Sequence, residues 1–158
     1  MAGNNTFSGG LEGAGLKIAI IAARFNFEIV DSLVEGALQA LSVSDVADAD
    51  IDIVRVPGCY ELPLAAQRLA RSDTYDGIVA LGAVIRGDTP HFDYVAGETA
   101  RGLMQVGLNE DLPVAFGVLT CDNLQQAMER ADTDIRNNKG ADAAKTVLEL
   151  VNVLAELR

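Results

Sequence analysis

Short apolar runs alternate along the chain with longer stretches whose apolar positions recur every three or four residues. Residues 16–23 (LKIAIIAA) form an apolar run of strand length behind a Gly-rich lead. Between 28 and 41, Ile29, Leu33, Ala37 and Leu41 share one helical face. Ile51–Val56 (IDIVRV) predicts a second strand, stopped by Pro57-Gly58, and Leu62, Ala65, Ala66 and Leu69 mark a second helix. Gly77–Ile85 (GIVALGAVI) is almost wholly apolar, as expected of a central strand covered on both faces. A third helix is expected from about residue 92 to 108 and a fourth strand over 113–120 (PVAFGVLT). A short helix over 124–131 and a longer one over 140–157 complete the series.

Strands that alternate with helices pair in parallel through right-handed crossovers. The expected fold is α/β: a flavodoxin-like doubly wound sheet of four parallel strands with helices on both faces. Ligands bind such folds where the carboxyl ends of the strands meet the following helices. The segments DVADAD (45–50) and NNKG (137–140) read as turns, and neither separates two cores. A single domain over 16–158 is therefore expected behind a flexible, polar, Gly-rich arm at 1–15. The last helix carries Val147, Leu150, Val151, Leu154 and Leu157 at helical spacing. That stripe suits packing on the sheet and equally a subunit contact.

A chain of 158 residues, 49% of them hydrophobic, is long enough for one real core. No apolar run approaches the ~20 residues needed to span a bilayer. The N-terminus lacks both a basic start and an apolar core of the secretory kind, so a cytoplasmic location is expected. The formal net charge of −11 makes nucleic acid and anionic membranes poor partners. A phosphate-bearing ligand would need a local site working against that field. Cys59 and Cys121 lack CxxC spacing and, with the lone His91, make a poor zinc set, so no metal is expected.

Unusual residues fall where the strands end. Phe25 can plug the end of the core or stack on a planar ligand. Beyond the second strand, Glu61 suits the dipole of a helix start, while backbone groups at Cys59, Tyr60 and Glu61 can meet a polar substrate. Cys59 has no base beside it and is not a candidate nucleophile. Gly87-Asp88-Thr89 precede a helix opened by Pro90, where free N–H groups bind phosphate without a basic surface. Asp88 or Thr89 can equally be a simple cap. His91 can be structural or can shuttle protons near pH 7. Thr120, Asp122 or Asn123 can cap the short helix. Arg130 is either a solvated helix residue or an anion clamp.

Taken in order, ARFN (23–26), VPGCYELP (56–63), GAVIRGDTPHFDYV (82–95), FGVLT (116–120), QAMERA (126–131) and NKG (138–140) resemble the lumazine synthase family over nearly the whole chain. The resemblance implies that Phe25 stacks on a pyrimidine. It implies that Cys59, Tyr60 and Glu61, with Ala83, Val84 and Ile85, bind the pyrimidine and its ribityl chain. Asp88 and Thr89 would meet a sugar phosphate, and His91 would transfer protons. Phe116 and Arg130 would come from a neighbouring subunit, with Arg130 clamping the phosphate. The implied reaction joins 5-amino-6-(D-ribitylamino)uracil to 3,4-dihydroxy-2-butanone 4-phosphate, two small-molecule substrates, without metal or redox cofactor.

A shared site implies a homopentamer. The segment DTDIRNN (132–138) is one residue longer than the tight turn of shell-forming members and lacks its early glycines. A free pentamer, alone or paired into a decamer, is thus expected over an icosahedral shell. Cys121, where the family often has threonine, puts a polar contact in doubt. The rival reading is a non-catalytic flavin- or lumazine-binding module on the same fold. The joint presence of Phe25, Gly87-Asp88-Thr89, His91 and Arg130 argues against it, since a binder needs no proton shuttle. An enzyme of unrelated chemistry on the same scaffold is the second rival.

Overall fold

The four apolar runs form one parallel sheet, β1 (Ile18–Ala23), β2 (Ile51–Val56), β3 (Gly77–Ile85) and β4 (Val114–Cys121), in the order β2-β1-β3-β4. The computed structural model describes residues 3–157; Met1, Ala2 and Arg158, which the expected arm and domain include, lie outside them. Connections run outward in opposite directions from the β1–β3 pair, so a crevice opens between those strands at their carboxyl ends.

Both inner strands are buried because both faces are covered. Ile18, Ile20 and Ala22 pack toward α1 (Phe27–Val43) and α5 (Lys139–Glu156), with Ala127 of the short α4 (Leu124–Arg130) in the same layer. Ala19, Ile21 and Ala23 pack toward α2 (Leu62–Ala70) and α3 (His91–Glu110). The edge strand β2 leaves Asp52 and Arg55 outside, where Tyr75 Oη donates to Asp52 (2.6 Å) and Arg55 to Asp31 (2.8 Å). The α/β expectation therefore holds in strand number, pairing and layering.

Differences lie at element ends and have local causes. The first strand begins two residues late, because the Lys17 N–H donates to the Asp76 carboxylate (2.8 Å) and Gly13–Leu16 forms a turn with Gly15 at φ 82°. The fourth begins at Val114, since Pro113 has no N–H to offer, and its carbonyl still accepts from Ile78 (2.9 Å). Asp111, in the left-handed region at φ 51°, stops α3.

α1 and α5 cross closely. A Cβ on Gly140 would run into the Leu33 backbone, and one on Gly36 into the Asn138 side chain. Asn138, 1% exposed, donates to the carbonyls of Ser32 and Asp132 (both 2.9 Å) and caps α5 by accepting from the Ala141 N–H (3.0 Å). The α5 stripe divides along its length: Val147 is fully buried, while Leu150, Leu154 and Leu157 remain exposed. Asn152 on that helix donates to the carbonyls of Gly10 and Glu12 (2.9 and 3.0 Å), laying residues 9–12 against α5. No helix among the described residues is long and apolar enough to cross a membrane.

Candidate active site

The loop leaving β1 is tied down on two sides. Arg24 and Phe25 N–H groups donate to the carbonyls of Val56 and Pro57 (2.8 and 3.1 Å), continuing the β1–β2 pairing past the strands. Asn26 then takes φ 60°, and its side-chain amide donates to the Ala83 carbonyl at the end of β3 (2.8 Å). This turn throws the Phe25 ring outward, 72% exposed. A ring that exposed cannot plug the core; it stands at the mouth of a pocket of about 650 Å³.

The pocket floor comes from the next two strand ends. After β2, Gly58 leads into a 3-10 turn over Cys59–Glu61, closed by the Glu61 N–H donating to the Gly58 carbonyl (3.2 Å). Cys59 is buried, and its sulfur occupies the notch that Gly82 leaves in β3. Burial pushes its thiol up to about 11, the Glu61 charge adding to the effect and the Ala83 backbone opposing it. It is a neutral filler near pH 7 and no nucleophile. Tyr60 and Glu61 are exposed at the rim, while Ala83, Val84 and Ile85 line the floor with mainly buried side chains.

The third wall is the start of α3. Gly87, Thr89 and His91 face the pocket, and Phe92, Tyr94 and Val95 extend the lining. Thr89 Oγ1 accepts a long bond from the His91 N–H (3.4 Å), and the Asp93 N–H donates to the Pro90 carbonyl (2.9 Å). The other N–H groups of the first turn have no intrahelical partner, as at any helix start. Asp88 is exposed and lies outside the pocket lining. His91 is exposed on the pocket side, within the same cavity as Phe25.

Phe116 and Arg130 do not join this pocket. They border a separate hollow of about 310 Å³ with Thr120, Lys139 and Asp142. Phe116 is 48% exposed, and Arg130 donates to the Gln126 carbonyl of its own helix (3.0 Å) and lies 4.0 Å from Glu129. Nearby, burial raises the Cys121 thiol, with Arg130 opposing and Asp122 reinforcing the shift. Asn123 is the residue that caps α4, accepting from the Gln126 N–H (3.0 Å). Among the described residues, no group of three His, Cys, Asp or Glu is placed to hold a metal.

Two structural contributors escaped the reading of single residues. Asn26 is visible in sequence as a left-handed-tolerant residue directly before a helical run, but nothing local shows that it reaches Ala83. Arg86 lies within GAVIRGDTPHFDYV; its partners Asp93 and Asp122 stand at the start of α3 and in the loop after β4. A family model described as 6,7-dimethyl-8-ribityllumazine synthase matches residues 15–155.

Proposed function

The chain belongs to the lumazine synthase family, and from that premise we propose that it condenses 5-amino-6-(D-ribitylamino)uracil with 3,4-dihydroxy-2-butanone 4-phosphate. The observation that carries the reading is the convergence of Phe25, the Cys59–Glu61 turn, the β3 end and His91 on one cavity. An apolar crevice rimmed by aromatic rings suits a planar heterocycle. Backbone groups of the turn and the carboxylate of Glu61 suit a polyol chain, and the N–H groups opening α3 suit a phosphate.

In this reading the 5-amino group attacks the ketone and water leaves to form an imine. Inorganic phosphate is then eliminated, and ring closure releases a second water to give 6,7-dimethyl-8-ribityllumazine. His91 carries protons between these steps. Holding two reactants in register is the larger contribution, since well-oriented pairs can gain about 7–11 kcal/mol in ideal cases.

Phe116 and Arg130 border a separate hollow and take no part in their own chain's pocket. We place them in the neighbour's site, so that a homopentamer has five sites between subunits. The location proposed is the cytoplasm. Turnover tests the reading: purified protein with both substrates should form fluorescent lumazine well above the uncatalysed background. Folded, oligomeric protein that gives no acceleration overturns it in favour of a binding module.

A further inference from the structure

Arg86 is the first residue beyond β3, and its guanidinium reaches both the start of α3 and the loop that follows β4. Its Nε donates to Asp122 Oδ1 after β4 (3.1 Å), its Nη1 lies 3.5 Å from Asp93 Oδ1 in the first turn of α3, and its carbon lies 4.4 Å from the Phe92 ring centroid. Its own N–H donates to the Cys121 carbonyl (2.8 Å). The segment 87–90 that it spans is wholly exposed, and among the described residues its side chains make one long bond, Thr89 Oγ1 accepting from the His91 N–H (3.4 Å). Each such pair is weak alone when exposed. Here they act together, with a stacked ring, on a short loop that has little else to hold it.

Resting on the function proposed above, we propose that Arg86 is a positioning residue, which sets the N–H groups of 87–92 and the His91 ring by fastening the start of α3 to the end of β4. With two carboxylates already facing its guanidinium, it acts through the loop and is not itself the phosphate ligand. The two roles make opposite demands on Asp122. If Arg86 positions the loop, losing either partner loosens the same loop. If Arg86 is the ligand, losing Asp122 frees it and strengthens phosphate binding.

The experiment compares Arg86→Gln, Asp122→Asn and the double variant with the wild type. Both single variants should raise KM for the sugar phosphate about tenfold while KM for the pyrimidine stays within about twofold, and the double variant should be no worse than Arg86→Gln. Inorganic phosphate as the probe should lose affinity in parallel. Amide exchange at 87–92, measured without substrate, should quicken in both single variants. Tighter phosphate binding in Asp122→Asn, or unchanged exchange in Arg86→Gln, overturns the proposal. If the wild type makes no lumazine, the functional reading fails, and phosphate affinity and exchange still decide the role of Arg86.

Discussion

Asn26 combines a backbone conformation and a side-chain bond that two substitutions separate. Glycine keeps φ near 60° and loses the bond to Ala83; alanine loses the bond and strains the backbone by about 1–2 kcal/mol. Asn26→Gly should therefore raise KM for the pyrimidine, through a looser Phe25, with the smaller loss of stability in urea. Asn26→Ala should show the same KM and a clearly lower unfolding midpoint. Equal midpoints would remove the backbone argument. His91→Ala should lower kcat by roughly 10–100-fold, less than where proton transfer carries the reaction, with both substrates still bound; complete loss would contradict a mainly orientational site. Cys59 provides the pH test. Its folded thiol lies near 11 against an ordinary 9.0, so its contribution to stability is complete below 9 and is lost as pH rises toward 11. Wild-type stability should fall more steeply between pH 8 and 10.5 than that of Cys59→Ala, and the native thiol should resist alkylation at pH 8. Equal slopes for the two proteins would place the thiol outside the buried notch.

Between elements, the tightest constraint is the α1–α5 crossing. Adding a methyl at Gly140 meets the Leu33 main chain, which cannot rotate away as a side chain can. Gly140→Ala should cost about 1–3 kcal/mol, as overpacking in a filled core does, seen as a lower Tm with no change in KM. A neutral result would mean that α5 shifts freely on α1. Helices and strands were legible in the chain because periods of 3.6 and apolar runs report burial directly. β2 and β3 matched to the residue, since Pro57-Gly58 and the apolar block starting at Gly77 mark their limits. The β1 and α3 ends were less legible: a distant carboxylate, Asp76, captures the Lys17 N–H, and Asp111 turns left-handed without a glycine to announce it.

For the whole molecule, the separation of Phe116 and Arg130 from the pocket predicts complementation. If each site takes His91 from one subunit and Arg130 from the next, mixed rings of His91→Ala and Arg130→Ala chains regain intact sites at about one position in four, as random cyclic assembly requires. Activity after co-refolding should exceed the mean of the two separate variants. No gain would return Arg130 to its own chain's site and remove the reason for a shared one. Sedimentation should give a pentamer, or twice that mass, and a larger shell would overturn the assembly expected from the 132–138 segment. The sequence by itself determined the order of elements, the two-sided burial of β3 and the strings that mark the family, because periodicity and motif are local properties of a chain. Only the tertiary structure decided that Phe25 faces outward, that Cys59 fills the space beside Gly82 and that Arg86 joins the ends of β3 and β4 to the start of α3. Those facts depend on which distant groups the fold brings within a few ångströms, and no local pattern encodes that.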